Sequence, residues 1–508
     1  MWMRRRLKVI LARIPAVRRY LAEKHSIAAA WQEAVAERDH LRGELMNRSA
    51  TIKTLCGERD AVLDQLRLHQ AAIETFSAEL DAALRDGNTF QRGKPASSVT
   101  APSDAFETNE SDRPGTTRVL FIGHASSSHT HSWIGLLDGS GIEARLFSPF
   151  HNDSPAPGDF PVKTYMSTLG HTVPPPSRPG LNEPSSVGGW TAWRDARLAA
   201  VVESWRPHVV HTLGLFYAGL CWYSMHDRFN HRPRWVLQLR GGSDLQVNHR
   251  APAKQDLIRN AARAADQIVS DNLQNFEILR SLGVDERLFA SIAPVPGTGG
   301  MDVPAAPNWA IPTSRRSIIF CPKAYVPQFA HAYPVIEALR QIADELPPCR
   351  IVILWANEPE VLEWFEHLPP SLRAICDLRG RLPRSEVLSI MGETRVLLAP
   401  SIIDGRPNTM FEAMVNGAFP VVSPLATIRE VVSEPDNVLF ARNLHPEEIA
   451  AALLRAMRDD DLVDRAAVRN LELVRRVANR AEIRKRVTAF YRHLATGGAR
   501  RESVDFGQ

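Results

Sequence analysis

Cysteine is scarce in this chain, and the arrangement of the few cysteines argues against a metal centre or a disulfide framework. The five residues show no CxxC pair and no spacing typical of a zinc site. Their odd number and wide scatter predict reduced thiols, as in a cytoplasmic protein. The five are Cys56, Cys221, Cys321, Cys349 and Cys376.

Long apolar runs and a large excess of one charge are lacking as well. No apolar run approaches the roughly 18 residues that cross a bilayer, and Arg13 interrupts the apolar start too early for a secretory signal. The net charge of +4 gives no indication of a nucleic-acid partner. With 44% hydrophobic and 23% charged residues among 508, the chain has the composition of a soluble globular protein.

Acidic residues are missing from the first 21 positions. Residues 1–21 hold seven cations and no Asp or Glu, so this segment carries +7 and the remaining chain 4 − 7 = −3. The segment is basic and amphipathic, a pattern that can lie on an anionic membrane surface. The alternative is a solvated start to the following helix, because Pro15 weakens a continuous helix. We predict a cytoplasmic protein and leave open a peripheral position at the inner face of the membrane.

Residues 22–85 carry a heptad pattern. With Leu45 as an a position, eight of the eleven a and d residues are apolar, and Arg59 and His69 weaken the seam. This pattern predicts an α-helical coiled coil and therefore a homo-oligomer. The alternative is a single long helix packed on the rest of the protein. Residues 86–116 are rich in Ser, Thr, Pro and Gly and predict a flexible linker.

From residue 117 onward, strand patterns alternate with helix patterns in two blocks. This alternation predicts the α/β class, with two doubly wound Rossmann-like domains at 117–302 and 303–480. A C-terminal helix and tail, 481–508, follow. Among the individual elements, we expect a strand at 290–295 and one long terminal helix at 464–495.

Two carboxylates eight positions apart mark the segment 397–430. A buried strand ends at Pro400, Asp404 lies in the following loop, and Glu412 lies in a short helix that Gly417 ends. Open α/β sheets bind ligands beyond the carboxyl ends of their strands, and a helix N-terminus at that place suits a phosphate. The alternative is an ordinary βαβ unit with a surface Asp and a helical Glu.

This segment resembles the donor-binding signature of the retaining family-4 glycosyltransferases (glycosyl transferases group 1), which have the GT-B fold. Their pattern is P-S-x-x-E-G-x-P-x-x-x-x-E-A-M-x-x-G-x-P-V-V, and this chain has Asp404 where the family usually has the first Glu. Segments that resemble other family motifs follow in the family's order at 121–129, 206–211, 240–244, 265–270 and 294–302. The residues that match the signature are Pro400, Ser401, Gly405, Pro407, Glu412, Ala413, Met414, Gly417, Pro420, Val421 and Val422.

The resemblance implies a role for each part of the signature. Glu412 would accept hydrogen bonds from the ribose hydroxyls of the donor nucleotide, and Asp404 would lie beside the transferred sugar. Backbone N–H groups at the start of the helix would meet the diphosphate. The predicted donor-binding residues are Glu412, Gly405, Arg406, Asn408, Thr409 and Met410.

The family also uses an Arg-x-x-x-x-Lys pair to neutralise the leaving diphosphate. Lys323 falls at the Arg position and Gln328 at the Lys position, so one cation is exchanged and one is absent. Either Arg406 or another arginine is expected to compensate. Arg240 stands where the family often has His and could bind the donor phosphate; an ion pair with Asp244 is the alternative.

Three catalytic residues follow from this comparison: Asp404, Lys323 and Arg240. His129 and His131 are candidates for the acceptor side, with a partly exposed, inert position as the alternative. The acidic run 459–461 resembles a D-x-D metal motif, but it falls at a helix junction and we interpret it as solvated. We predict no metal and no cofactor, since the nucleotide sugar itself is the substrate.

The predicted function is a glycosyltransferase of the hexosyl-transferring type. It would move a sugar from a nucleotide-diphosphate donor to a hydroxyl of a glycan or lipid-linked acceptor, with retained anomeric configuration and without a metal. Synthesis of a glycan or cell-envelope polysaccharide is the expected context. Two rivals stay open, because fold alone does not choose among them: a catalytically silent scaffold assembled through its coiled coil, and a nucleotide-sugar epimerase.

Overall fold

The computed structural model describes residues 116–150, 162–166, 185–324, 330–356 and 358–497. The predicted basic segment, the coiled coil and nearly all of the linker lie outside this part, as do Gln328 and the tail from residue 498. These features stay predictions. Both of the sheets described next belong to one compact unit of the chain.

Six parallel strands form the first sheet, in the order β3-β2-β1-β4-β5-β6. The central strands are mostly apolar and almost entirely buried, as expected for parallel strands with helices on both faces. This order is that of a doubly wound sheet. The strands are β1 (Arg118–Ile122), β2 (Glu143–Ser148), β3 (Lys163–Met166), β4 (Val209–Leu213), β5 (Arg234–Leu239) and β6 (Gln267–Ser270).

Helices connect these strands. One buried cluster joins α1 and the central strands, with Trp133, Phe121 and Val236 among its members. The predicted strand at 290–295 is not formed; its backbone instead follows the sheet edge, where Ala290 N and Val295 N donate to carbonyls of β6. The helices are α1 (Ser128–Ile134), α2 (Ser185–Trp205), α3 (Leu220–Tyr223), α4 (Gly241–Asp244), α5 (Pro252–Ala264) and α6 (Gln274–Ser281).

A second sheet of six parallel strands has the order β12-β11-β10-β7-β8-β9. Read from the other end, this is the strand order of the first sheet, so the chain repeats one architecture twice. The two sheets confirm the predicted pair of Rossmann-like domains, although the exact domain boundaries stay predictions. The strands are β7 (Ile318–Cys321), β8 (Arg350–Leu354), β9 (Cys376–Arg379), β10 (Thr394–Leu398), β11 (Phe419–Val422) and β12 (Leu439–Phe440).

All helices of the second half except the last pack on the C-terminal side of the molecule, most of them around a cluster that includes Ile319, Leu398 and Leu453. We call the part built on the first sheet the N-terminal lobe and the part built on the second sheet the C-terminal lobe. The helices are α7 (Ala332–Gln341), α8 (Pro359–Glu366), α9 (Pro370–Ile375), α10 (Arg384–Glu393), α11 (Asn408–Val415), α12 (Ala426–Arg429), α13 (Pro446–Arg458), α14 (Asp460–Val477) and α15 (Arg480–Ala495).

The predicted single helix at 464–495 is wrong, because the chain breaks between α14 and α15. Helix α14 packs on the C-terminal lobe, whereas α15 crosses to the buried cluster of the N-terminal lobe. At the break, Met301 N donates to Ala478 O and Arg480 N donates to Met301 O. Gly300 makes this contact possible, since a Cβ there would lie 2.4 Å from the Ala478 oxygen. The chain connects the lobes twice, at Met301 and at the break between α14 and α15. Hydrogen bonds between these two connections therefore interrupt what would otherwise be one continuous helix.

Among the helices that the structure describes, none combines the length and the apolar character needed to cross a membrane.

Candidate active site

The signature segment has the predicted strand–loop–helix–strand form at the carboxyl edge of the second sheet. Strand β10 ends at Leu398, the loop carries Asp404, and α11 carries Glu412 on its second turn. The Thr427 hydroxyl donates to the Asp404 carbonyl at 2.8 Å and fixes the loop. Met410, a predicted donor-binding residue, is fully buried, and its backbone N–H donates to the Pro407 carbonyl at 3.1 Å, so neither its side chain nor this N–H is free for a ligand. Both signature carboxylates thus lie at the edge of the sheet where ligands bind in this fold class.

Asp404 forms an ion pair with Lys323, which follows β7. The Lys323 ammonium donates to Asp404 Oδ2 at 2.5 Å and to the Ser401 hydroxyl at 2.8 Å. The Ser401 hydroxyl lies 3.3 Å from the same carboxylate oxygen. The side chains of Lys323 and Asp404 are only 14% and 24% exposed. The two predicted catalytic residues of this lobe are therefore in direct contact, inside a largely enclosed group.

Glu412 forms its own ion pair, with an arginine that the sequence comparison did not single out. Arg384 Nη2 and Nε donate to Glu412 Oε1 at 2.6 and 3.2 Å. The Glu412 side chain is 16% exposed and that of Arg384 is 63% exposed. The carboxylate is thus held in place by a cation that has room to move away. Arg384 begins α10, far from Glu412 in sequence, so only the fold brings them together.

Arg406 is engaged in a buried ion pair. Its Nε donates to Glu430 Oε1 at 2.8 Å, and both side chains are almost fully buried. The other oxygen of Glu430 accepts from the backbone N–H of Leu273 in the N-terminal lobe, at 2.9 Å. Arg406 therefore ties the signature loop to a contact between the lobes, and it does not supply a free cation for a diphosphate. The sequence analysis did not identify Glu430.

A second contact between the lobes involves the start of the signature helix. The Thr298 hydroxyl donates to Asn408 Oδ1 at 2.8 Å. Gly405 also packs directly on the N-terminal lobe, since a Cβ built on it would lie 2.6 Å from Asp271 Oδ2 and 2.7 Å from Gly241 Cα. Only glycine permits this approach. The loop predicted to bind the donor is therefore also a contact surface between the lobes.

Asp271 is a buried carboxyl group at this contact. Its Oδ2 accepts from the Gly241 backbone N–H at 2.9 Å, and its Oδ1 accepts from the Asn272 side chain. Burial raises the pKa of Asp271 to about 6; Asp404 adds to the rise, whereas the hydrogen bonds and Arg406 oppose it. Its protonation state is consequently sensitive near neutral pH.

Arg240 follows β5 at the facing edge of the first sheet. Its Nε lies 3.3 Å from Gln238 Oε1, and its backbone N–H donates to Asp244 Oδ2 at 3.0 Å. Asp244 thus binds the backbone of Arg240 and not its guanidinium, and Arg240 Nη2 is buried without a partner among the described residues. Burial lowers the pKa of Arg240 to about 10, against the attraction of Asp244 and Asp271. The side chain stays charged at neutral pH, and its Nη2 is a buried donor with no acceptor among the described residues.

The two histidines of the first loop differ. His129 interacts electrostatically with both Arg240 and Asp404, so it lies where the lobes face each other. The residue is exposed, yet desolvation by the surrounding protein, together with the charge of Arg240, lowers the pKa of its ring to about 4. It is therefore neutral at pH 7. His131 lies 2.5 Å from the Ala125 carbonyl, through Nε2, and so contributes to the local structure of the loop.

The acidic run that resembles a metal motif has structural partners. Asp459 caps α14 by accepting from Leu462 N at 2.9 Å, and Asp460 accepts from Arg395 at 2.8 Å. In the described part of the chain, the group with metal-like spacing is His445, Glu447 and Glu448. Glu448 is already paired with Arg442, so this group is at most a weak candidate.

Comparison with solved structures identifies the fold class. Sucrose-phosphate synthase from Thermosynechococcus elongatus is similar at a TM-score of 0.57 and 15% identity, over 75% of this chain and 100% of that chain. HepE from Anabaena, solved with UDP-glucose, gives 0.54 and 13%, over 73% and 98%. A putative UDP-N-acetylglucosamine 2-epimerase from Listeria monocytogenes gives 0.52 and 14%, over 76% and 99%. At such identities these likenesses establish the fold, which is the two-lobed GT-B architecture.

A sequence match covers most of the C-terminal lobe. Residues 315–459 match the sequence model of the family described as glycosyl transferases group 1. This stretch contains Lys323, Asp404, Glu412 and their partners. The chain therefore carries a glycosyl transferases group 1 domain and is a glycosyltransferase with the GT-B fold, as predicted. None of the curated proteins matches the chain.

Proposed function

We propose that this protein is a retaining, metal-independent glycosyltransferase that moves a sugar from a nucleotide-diphosphate sugar to an acceptor hydroxyl. The observation that carries the proposal is the placement of Glu412 and Asp404 at the carboxyl edge of the second sheet, each beside a cation and each partly exposed. That edge is where nucleotides bind in doubly wound sheets. HepE, which shares the fold, was solved with UDP-glucose.

In this proposal Glu412 accepts the ribose hydroxyls, which replace the hydrogen bonds from Arg384. Breaking the exposed ion pair costs little, because such pairs contribute about 0–1 kcal/mol. The N–H groups that open α11 meet the diphosphate, where the positive end of the helix dipole favours an anion. The nucleotide is thereby oriented with its diphosphate toward Lys323.

Charge stabilisation is the protein's main contribution to the chemical step. As the glycosidic bond breaks, negative charge develops on the leaving diphosphate. Lys323 and Arg240 stabilise it from the two lobes, in an enclosed site where such interactions are strong. Arg240 thus takes the place of the cation that the family has at position 328, since Arg406 is bound to Glu430. The leaving phosphate accepts the proton of the acceptor hydroxyl.

The acceptor binds opposite the donor in this proposal. We propose a glycan or lipid-linked acceptor, as in cell-envelope polysaccharide synthesis, bound from the N-terminal lobe near the neutral ring of His129. A neutral imidazole can accept or donate a hydrogen bond to a sugar hydroxyl without adding charge. The basic segment at 1–21 would bring the enzyme to an anionic membrane surface, and the coiled coil at 22–85 would make it a homo-oligomer.

A donor screen tests the proposal. Purified protein is incubated with UDP-, GDP-, ADP- and dTDP-sugars, with and without EDTA, and release of the nucleoside diphosphate is followed. We expect slow hydrolysis of one donor class, unaffected by EDTA, and faster turnover with the correct acceptor. The anomeric configuration of the product then tests retention. Formation of an epimeric nucleotide sugar without any acceptor would favour the epimerase, and absence of any nucleotide binding would favour the scaffold.

A further inference from the structure

Asp404 forms an ion pair with Lys323 inside the protein. Its Oδ2 accepts from the Lys323 ammonium at 2.5 Å and lies 3.3 Å from the Ser401 hydroxyl. Ser401 is fixed in turn, because its backbone N–H donates to the Ser423 hydroxyl at 3.0 Å. We call Lys323, Ser401 and Asp404 the ammonium triad. The Asp404 carboxylate is thus paired with the Lys323 ammonium, so a substrate would not meet it as an unpaired anion.

Two departures from the family pattern meet in this triad. The first acid is Asp where the family usually has Glu, which shortens the side chain by one methylene. The cation is Lys where the family has Arg, which replaces a planar fork by a point charge on a flexible stem. The two substitutions contact each other directly. A shorter acid and a compact cation form a matched pair in this chain.

The hydrogen-bond capacity of Lys323 decides what the triad can do. An ammonium group carries three N–H donors. Two of them go to Asp404 and Ser401, which fixes the direction of the third. That third donor is available to a phosphate oxygen. Asp404 therefore reduces the freedom of the ammonium and so positions it for the leaving diphosphate.

We propose that Asp404 is a positioning residue that acts through Lys323, and that it is not a ligand of the transferred sugar. This inference rests on the proposed function, because it requires a nucleoside diphosphate next to Lys323. It predicts that the length of the acid at position 404 matters for binding of a nucleoside diphosphate, which contains no transferred sugar. It also predicts that position 323 determines the effect of position 404.

The experiment is a double-mutant cycle on nucleoside diphosphate binding, measured by calorimetry. The probe is whichever of UDP, GDP, ADP and dTDP the wild-type protein binds most tightly. Asp404→Glu keeps the charge and changes only the reach. We expect it to weaken binding about threefold to tenfold, because contacting residues couple by this order of energy. Lys323→Arg alone is expected to do the same.

Two further variants separate positioning from a general disturbance. Lys323→Arg combined with Asp404→Glu restores the family's own pair, and we expect its affinity to return to within about threefold of wild type. In a Lys323→Met background, which keeps the stem but removes the charge, Asp404→Glu should change the affinity by less than about twofold. Thermal unfolding of each variant shows that it is folded; if the Met variant is not, Lys323→Gln replaces it.

The outcomes are distinct. Loss in the single variants with recovery in the double variant supports the triad. The inference is overturned if Asp404→Glu leaves diphosphate affinity unchanged and raises only the KM of the nucleotide sugar, since the acid would then contact the sugar. It is also overturned if the two substitutions act independently. If the wild-type protein binds no nucleoside diphosphate at all, the proposed function fails and this inference fails with it.

Discussion

The two lobes share one strand order but differ in how their facing edges handle charge. In the C-terminal lobe, each acid of the signature region has a cation: Lys323 for Asp404, Arg384 for Glu412 and Arg406 for Glu430. In the N-terminal lobe, buried polar atoms lack partners among the described residues. Six such atoms lie in this lobe, among them Arg240 Nη2, Gln238 Nε2 and His211 Nε2, against one in the described part of the C-terminal lobe, Arg373 Nε.

The buried groups of the N-terminal lobe are nevertheless well organised. Tyr491 on α15 accepts from Trp133 Nε1 at 3.1 Å and lies 2.5 Å from His211 Nδ1. Burial lowers the pKa of His211 well below its usual value, so the ring is neutral and its Nε2 carries the hydrogen if Tyr491 donates to Nδ1. Neutralised charge in one lobe and unpaired donors in the other indicate different tasks. In our proposal the C-terminal lobe binds the anionic nucleotide and the N-terminal lobe binds the hydroxyl-rich acceptor.

The largest effect is expected for a substitution at Arg240, in the N-terminal lobe. Replacing Arg240 by Ala removes the only cation that the N-terminal edge directs at the diphosphate in our proposal. Removal of one such group costs about 2.7–4 kcal/mol of barrier, so kcat should fall about 100- to 1,000-fold. Arg234→Ala, at the opposite end of the same strand and paired with Asp266, is the matched control. Full activity of the Arg240 variant would remove this lobe from the charge stabilisation.

A smaller effect is expected at the contact between the lobes. In Gly405→Ala, the new Cβ would meet Asp271 Oδ2 at 2.6 Å and Gly241 Cα at 2.7 Å. Overpacking of this kind costs about 1–3 kcal/mol of stability, and nucleotide affinity should fall with it. Gly392→Ala is the control, because a Cβ there has nothing within 4 Å. An unfolding midpoint of Gly405→Ala equal to that of wild type would show that the lobes do not approach this closely.

Asp271, a buried carboxyl group of the N-terminal lobe, should make the stability of the protein depend on pH. Its folded pKa of about 6 exceeds its ordinary value of 3.8, so the folded protein binds this proton more tightly than the unfolded chain. Stability from this group is therefore greatest at low pH and falls as the pH rises toward 6. The difference in unfolding free energy between wild type and Asp271→Asn should shift against wild type by on the order of 1 kcal/mol between pH 5 and pH 7. A constant difference would mean that Asp271 titrates normally.

The smallest effect is expected at Arg384. Because this exposed arginine competes with ribose for Glu412, its replacement by Ala should tighten nucleotide binding by no more than about fivefold. Arg379→Ala, which breaks a comparably exposed ion pair with Asp377, should leave affinity unchanged. A tenfold or greater loss in the Arg384 variant would instead show that the arginine contacts the nucleotide.

The two lobes also differ in how far their structure could be predicted from sequence. In the C-terminal lobe, the apolar residues of the signature segment, bounded by Pro and Gly, predicted β10, α11 and β11 closely. In the N-terminal lobe, β2, β3 and α2 were not predicted. Edge strands such as β3 are short, and α2 shows little amphipathic contrast between its faces. The hydrophobic periodicity that predicts strands and helices is weak in elements that are only partly buried.

The candidate site shows the same limit. Asp404 and Glu412 were predicted from their spacing within one strand–loop–helix unit, and Lys323 was predicted from its place in a motif of the family that the sequence resembles. Arg384, Glu430 and Asp271 were not, because each reaches the site from another element and only the packing of the sheets brings it there. The break before α15 was missed for the same reason, since its hydrogen bonds run to Met301.

The central claim is that Glu412 binds the ribose of a donor nucleotide. Its most direct test is calorimetric titration of the preferred nucleoside diphosphate into the wild-type protein and into Glu412→Ala. Loss of hydrogen bonds to a charged group costs about 1.5–3 kcal/mol, which predicts affinity weaker by about 10- to 100-fold. Glu386→Ala, on the neighbouring helix α10, should bind like wild type. Equal affinity of the wild-type and Glu412→Ala proteins would contradict the account.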